Sequence, residues 1–302
     1  MPSVSSVEEA ARLLAAAHAH GGIFRIGTDL TTDGLDRILE HERGDLTCTV
    51  EAGLRLPELN AALGKSGQRL SLDPPGDPTI GALLAENSSG PLRHRFGAPR
   101  DLVLGVTLVL ADGTIANAGG KVVKNVAGFD LARLICGSRG HLALIVRASF
   151  RLHPLPKATR TLVVETGEIG EIGDVVRRIQ RSQLQPSALD VLHPGRVAVL
   201  FEGSERAVEA QLAGAQSLVG GCTVDGAVWE ESRDRQARAR GRVRFAPADL
   251  AAMLSSELEA VARPASGVAY VSRDVAEEPT DGVRRLVEAI RAQLDPHGVL
   301  AA

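Results

Sequence analysis

Two quotations from one stretch, 71–156, decide the reading of this chain: SLDPPGDPTIGALLAENSSGPLRHRFGAPRDLVLGV (71–106) and GGKVVKNVAGFDLARLICGSRGHLALIVRASFRLHPLP (119–156). Gly, Ser, Thr and Asn cluster at the ends of short apolar runs. A backbone built this way can come close to a phosphate-bearing ligand, because Gly lacks a Cβ and turn N–H groups can converge on an anion. The pattern reads as a dinucleotide site of a kind other than the Rossmann fold. Thr79-Ile80-Gly81 places a hydroxyl and a flexible backbone at the start of a helix, where N–H groups and the helix dipole favour an anion. Asn87, Ser88, Ser89 and Gly90 add small polar groups beyond it.

Working outward, the N-terminal side reads as a helix over 5–20, capped by Ser5 with Glu8, then a short strand IFRI running into Gly27-Thr28. TTDGLDRILEHERGD reads as a helical or turn segment. LTCTVEAG alternates as a strand, and Pro57 opens a helix. Within the central stretch, Thr79 to Ala85 is a helix and Asp101 to Leu110 a central strand. Asp112-Gly113 turns into a return strand, Phe129 to Cys136 is a short helix ended by Gly137, and Leu142 to Leu152 is a long strand. HPLPK punctuates a domain boundary. After it TLVVET, EIGDVVRRIQRSQ, ALDVL, RVAVLFEG, ERAVEAQLAGAQSLVGG and CTVDGAVWE give β-α-β-β-α-β, the ferredoxin-like order. RVRFA, ADLAAMLSSELEAVA and GVAYV add a strand, a helix and a strand, and TDGVRRLVEAIRAQLD is a final helix.

The bulk numbers bound the function. A chain of 302 residues has room for two domains. Aromatics are 3%, so the cores must be aliphatic. A net charge of -3 without a dense basic block argues against nucleic acid. The richest Arg stretch, 233–244, reads as a solvated face. Three widely spaced cysteines give neither a disulfide framework nor a metal site, and are expected as buried free thiols. With no apolar leader or spanning run, the expected location is cytoplasmic, with membrane contact only through partners.

The segments GDLTCTVEAGLRLPELNAAL, LDPPGDPTIGALLAENSSGPLRHRFGAPRDLVLGVTLVLADGT and GGKVVKNVAGFDLARLICGSRGHLALIVRASFRLHPLP resemble the FAD-binding PCMH-type proteins of the vanillyl-alcohol oxidase superfamily. Within that superfamily they are similar to the FAD-binding subunits of glycolate oxidases. The resemblance implies an α+β fold: a PCMH-type FAD-binding domain of two α/β lobes at 1–155, followed by a ferredoxin-like α+β domain at 156–302. It implies FAD as cofactor. Pro75, Thr79, Ile80, Gly81, Asn87, Ser88 and Gly90 would line the flavin and pyrophosphate, with Gly97 and Asp101 beside them. Gly140 and Ile145 would close over the ring and adenosine parts, and a loop at 121–130, with Lys121 and Lys124, would lie near the flavin.

Arg25, Gly27 and Thr28 stand where the superfamily has an Arg-Gly-Gly-Gly-Thr-like phosphate loop. Ile26 replaces one glycine, and the following segment is shorter. A β-branched Cβ opposes both positive φ and close approach to a phosphate, so half of this cradle is cut down.

The implied role is FAD-binding subunit of a glycolate (2-hydroxy acid) oxidase or dehydrogenase. Its expected partners are a larger flavoprotein subunit and an iron–sulfur subunit. The alternatives are a flavin-free structural subunit and a stand-alone FAD-dependent alcohol oxidase. Oxidation of a 2-hydroxy acid needs a base for the hydroxyl and a cation for the carboxylate. No catalytic set is assigned. His153, His193 and His297 each adjoin a proline and read as turn residues, and Arg93, His94 and Arg95 form a basic trio near the presumed ligand or a solvated loop.

Overall fold

The computed structural model describes residues 3–120, 130–276 and 281–301. Lys121, Lys124 and the rest of the expected loop before Asp130 lie outside the described residues.

Helix α1 (Val7–His20) buries Val7, Ala10, Leu14 and Ala17 and ends at Gly21 in the left-handed region (φ 73°). Its cap is Ser6, whose hydroxyl accepts the Glu9 amide at 3.1 Å, one residue beyond the expected Ser5–Glu8 pair. Ser5 instead donates from its amide and hydroxyl to the Glu9 carboxylate. The segment read as helical or turn contains strand β1 (Ile38–Glu42), paired antiparallel with β2 (Thr47–Glu51). β1 is an edge strand with little buried surface, so its ILEHE sequence lacks the alternation that marks a half-buried strand.

Pro57 sits in the first turn of α2 (Leu56–Gly64), which is followed by β3 (Gln68–Arg69) and α3 (Ile80–Glu86). Two short turns, α4 (Arg93–Phe96) and α5 (Pro99–Leu102), lead into β4 (Val103–Val109). That strand starts later than expected because the Asp101 carboxylate accepts the Ala98 amide and holds 99–102 helical. β5 (Ile115–Gly119), α6 (Leu131–Ile135), β6 (Leu144–Arg151) and β7 (His153–Pro154) complete this unit. Its sheet runs β1-β2-β6-β4-β5, antiparallel throughout. Successive β6 residues Ile145 and Val146 enter the apolar cores on opposite faces.

In the second unit β8 (Ala158–Glu165), α7 (Ile169–Arg181), β9 (Ala188–His193), β10 (Arg196–Gly203), α8 (Glu205–Val219) and β11 (Cys222–Val224) follow the expected order. Their lateral order, β11-β8-β10-β9, is ferredoxin-like. The expected strand over CTVDGAVWE stops at Val224, and α9 (Ala227–Arg238) begins instead. Val228, Trp229, Ser232 and Gln236 are buried at helical spacing, and Trp229 Nε1 donates to Thr161 Oγ1 of β8 at 2.9 Å. The Arg-rich stretch is therefore one side of a packed helix rather than a wholly solvated face. After it come β12 (Gly241–Arg244), α10 (Leu250–Ser255), β13 (Ala260–Arg263) and β14 (Val268–Val271). They extend the sheet past β9 in the order β13-β14-β12.

The last stretch corrects the simple two-block division. After α11 (Asp281–Leu294), Phe24 pairs with Leu300, and Val299 and Leu300 are buried with α1. The Asp295 carboxylate accepts the amides of Val299 and Leu300, both at 2.8 Å. These residues belong to the core of the first unit, although they follow the second in sequence. Across the units, Arg69 and Glu202 form a two-pronged ion pair with N–O distances of 2.8 and 2.7 Å.

Candidate functional site

A cavity of about 760 Å³ lies between the two units, within the range of sites that enclose a sizeable cofactor. The first unit supplies Ile26, Gly27 and Leu30 to Asp33, then α3 with Thr79, Gly81, Ala82, Ala85 and Glu86, then Asn87, Ser88 and Arg93. Arg139, Gly140 and Ala143 to Ile145 add the start of β6. The second unit closes it with Gln236, Arg242 and Tyr270.

Seven of the expected residues thus meet at one cavity: Gly27, Thr79, Gly81, Asn87, Ser88, Gly140 and Ile145. The others stand elsewhere. Ile80 is fully buried in the apolar core under α3. Gly90 packs so tightly on the Asp73 carbonyl that a Cβ would stand 1.7 Å from its oxygen. Gly97 (φ 84°) turns the chain over the Asp101 carboxylate that caps α5. Arg25 pairs with Asp29 at the surface at 3.5 Å, Thr28 lies in the same turn, and Pro75 lies before α3 without lining the cavity.

The backbone donors expected to receive a pyrophosphate are already used. At the start of α3, Ile80 N–H donates to the Leu54 carbonyl at 2.9 Å and Gly81 N–H to the Ala52 carbonyl at 2.7 Å. Ala82 N–H donates to Thr79 Oγ1 at 3.3 Å. The shortened loop closes on itself: Gly27 N–H donates to Leu30 O (2.8 Å), and Thr28 and Asp29 N–H donate to Arg25 O (3.2 and 2.7 Å). A turn this short meets its own backbone demand, which leaves these amides nothing to offer an anion. The cavity fits FAD by its volume, its small-residue walls and its hydroxyl and amide side chains. It does not fit by the two backbone cradles. Among the described residues its cationic side chains are Arg93, Arg139 and Arg242, and Arg139 holds positive φ (53°) with its amide donated to Ala85 O.

Behind the cavity wall, a buried polar network joins the units. Gln236 Nε2 and Arg263 Nη1 both donate to the Ser89 carbonyl, at 3.0 and 3.2 Å. Arg263 Nη2 donates to Gln236 Oε1 at 2.7 Å, and its Nε lies 3.5 Å from Asp190 Oδ1. Ser232 Oγ donates to Asp190 Oδ2 at 2.6 Å. Asp73 accepts the Leu92 amide at 3.0 Å; burial pushes its carboxyl up to about 7, against the pull of Arg263, the Leu92 amide and Arg233.

The basic trio divides. Arg93 faces the cavity and donates to Ser89 Oγ at 3.2 Å, while Arg95 lies by the Phe96 ring and donates to Ser187 Oγ at 3.4 Å. Burial pushes the imidazoles of His94 and His153 down, which favours their neutral forms. His153, His193 and His297 do not line the cavity, and among the described residues no cluster of three or more His, Cys, Asp or Glu could hold a metal. Of the three cysteines, Cys48 is buried, Cys136 half-buried and Cys222 exposed, where all three were expected inside.

Sequence reasoning missed Gln236, Arg242 and Tyr270. Arg242 and Tyr270 face each other on adjacent strands. The usable signal was the alternation of GRVR and VAYV, together with Tyr270 as the only tyrosine of the chain.

Residues 12–119 match the family described as FAD binding domain. The glycolate oxidase subunit GlcE of Escherichia coli (strain K12) is 33% identical over 204 residues, covering 66% of this chain and 56% of that protein. The glycolate oxidase subunit GlcD of Bacillus subtilis (strain 168) is 34% identical over 168 residues, covering 55% of this chain and 36% of that one. A D-lactate dehydrogenase of Archaeoglobus fulgidus is 31% identical over 240 residues, covering 72% and 53%. Each of these matches spans little more than half of the relative, or less. A solved alkyldihydroxyacetonephosphate synthase superposes with TM-score 0.77 at 17% identity, covering 98% of this chain and 74% of that one, which shows a common fold.

Proposed function

We propose, from the match of residues 12–119 to the FAD binding domain family, that the chain is the FAD-binding subunit of a glycolate (2-hydroxy acid) oxidase or dehydrogenase. The observation that carries the reading is the cavity of about 760 Å³ between the units, where seven expected cofactor residues meet. The similarity to glycolate oxidase subunits and a D-lactate dehydrogenase supports the substrate class. FAD, when bound, supplies two-electron oxidation chemistry. The chain's own part is to hold it: Thr79, Asn87 and Ser88 offer side-chain hydrogen bonds, Gly81 and Gly140 keep the walls low, and Arg139 brings positive charge. The second unit covers the cavity and limits water.

The proposed partners are a larger flavoprotein subunit and an iron–sulfur subunit, with substrate turnover resting mainly on the former. This accords with the lack, among the described residues, of a histidine on the cavity wall. No helix among the described residues is long and apolar enough to cross a membrane, and the proposed location is cytoplasmic. The domain division proposed is a flavin unit up to 155, completed by the C-terminal stretch 281–301, with a ferredoxin-like unit between them.

A second reading, a flavin-free structural subunit, is favoured by the self-satisfied turn at 25–30. The spectrum of the purified chain separates the two. Flavin absorbance with FAD released on denaturation supports the first, and a colourless protein that takes up no added FAD supports the second. Rapid glycolate oxidation by the isolated chain would overturn the subunit assignment and favour a stand-alone oxidase.

A further inference from the structure

His153 stands where the chain crosses from the first unit to the second. It lies in β7 directly opposite Arg69 of β3, so the two side chains leave the same face of this two-stranded ribbon. Just beyond it the Leu155 amide donates to the Gly67 carbonyl at 2.8 Å, and the Lys157 amide to the Gly203 carbonyl of the second unit at 3.0 Å. The Phe96 ring of α4 gathers the cluster. Its centroid is 4.6 Å from that of the His153 ring, and the guanidinium carbons of Arg69 and Arg95 stand 5.4 and 5.7 Å from it. Phe96 also packs on the buried cluster that joins Leu92 to Leu192, Leu200 and Trp229 of the second unit. Arg69 reaches across the units to Glu202, with N–O distances of 2.8 and 2.7 Å.

Two features of this cluster oppose a charged imidazole. His153 Nδ1 is buried and has no hydrogen-bond partner among the described residues. An imidazolium carries N–H on both nitrogens, so a second proton would create a buried donor without an acceptor. The charged groups that face the ring are Arg69 from β3, Arg95 from α4 and Arg151 from β6, and the Glu202 carboxylate beyond Arg69 is already engaged by it. Burial first, and then Arg69, Arg151 and Arg95, push the imidazole down and favour its neutral form.

We propose that His153 is an acid-sensitive fastening of the joint between the units: protonation of its ring frees β7 from β3 and opens the cavity that the second unit covers. Arg69 is held by Glu202 and by the Phe96 face, whereas His153 and Pro154 are partly open to water. The ring that gains the proton is therefore the part that leaves, and it takes the crossing segment with it. An imidazole lowered in the folded chain leaves the joint at full strength above the ordinary histidine value of about 6.5. It weakens the joint as pH falls from there through the lower folded value. Asp73, whose Oδ2 lies 3.9 Å from Arg233 of the second unit, acts with the opposite sign, because acid makes it neutral in its buried site. The inference holds whether or not the cavity carries flavin.

The test takes the full chain from pH 8 to pH 5 at constant ionic strength. Small-angle X-ray scattering follows the radius of gyration, and the emission of Trp229, the only tryptophan of the chain, follows the packing between the units. In the wild type the radius should grow and the emission shift to the red, reversibly, with a midpoint below about 6.5. His153→Gln, which stays neutral throughout, should remain closed across the range. Arg151→Gln, at an exposed position, removes one cation facing the ring and should move the midpoint toward neutral pH. This second variant decides the matter if His153→Gln does not fold at pH 8. A wild type that stays closed to pH 5 overturns the inference. A response that persists in His153→Gln, one that vanishes instead in His94→Gln, or an unmoved midpoint in Arg151→Gln overturns it as well.

Discussion

Ile26 occupies the space that any side chain at Gly140 would need: a Cβ built on Gly140 would stand 2.9 Å from the Ile26 Cβ. The residue that departs from the glycine-rich loop of the superfamily and the glycine in the turn before β6 are thus complementary halves of one contact. Gly140 also holds φ at 83°, a conformation that side chains rarely adopt.

Gly140→Ala should therefore destabilise the fold by about 1–3 kcal/mol, from backbone strain and the clash together. Adding Ile26→Ala should recover part of that loss, because it removes the clash and leaves the strain. Thermal or denaturant unfolding of the two single variants and the double variant measures the coupling, and strictly additive effects would show that the two residues do not interact.

The Ser89 carbonyl receives two donors from the second unit, and Arg263 also stands beside the fully buried Asp190. Arg263→Met should cost about 3–5 kcal/mol, since it leaves a buried carboxylate without its cation. Gln236→Leu should cost about 1–3 kcal/mol, the scale of an unsatisfied buried group. Denaturant midpoints check both. Proteolysis between 156 and 276 should quicken more in Arg263→Met, because the wall between the units loosens with it.

The raised Asp73 carboxyl predicts a pH dependence with a definite sign. A carboxyl whose folded value, about 7, exceeds its ordinary value of 3.8 takes up a proton more readily when folded. Its contribution to stability is fully present below 3.8 and is lost as pH rises through about 7. Melting temperatures should therefore fall between pH 5.5 and 8.5 by more in the wild type than in Asp73→Asn. The variant keeps an oxygen for the Leu92 amide and has no titrating proton. Parallel pH profiles for the two proteins would refute the assignment.

Thiol chemistry should single out one cysteine. Burial pushes the Cys48 and Cys136 thiols up to about 12, so both stay protonated at neutral pH, whereas Cys222 is exposed. Iodoacetamide at pH 8 should label Cys222 in the native chain and all three cysteines in denaturant. Peptide mass spectrometry locates the label, and native modification of Cys48 would contradict the packing.

Elements with strong local chemistry were legible from sequence. Thr79 caps α3, Pro57 enters the first turn of α2, Ser204 caps α8, and the βαββαβ order emerged with its ferredoxin-like pairing. Where local and tertiary demands diverged, the reading slipped. β1 is a strand because β2 offers it an edge, whatever its own pattern. α9 replaced a strand because Trp229, Ser232 and Gln236 pack at helical spacing against β8, β9 and the 89 turn.

The candidate site divides in the same way. Residue types and spacing marked Thr79, Gly81, Asn87 and Ser88, because small and hydroxyl residues at turns carry their meaning locally, whereas Gly140 and Ile145 were implied only by the family resemblance. Whether a backbone amide is available, however, depends on which carbonyl folds against it. Only the tertiary structure decided that the amides at 27–29 and 80–82 are spent within the protein. It alone brought Arg93 to the cavity wall that Arg242 and Tyr270 share, and returned 299–300 to the core of a unit that the chain had left at 155. Those juxtapositions join residues far apart in sequence, and long-range packing fixes them where local preference has no voice.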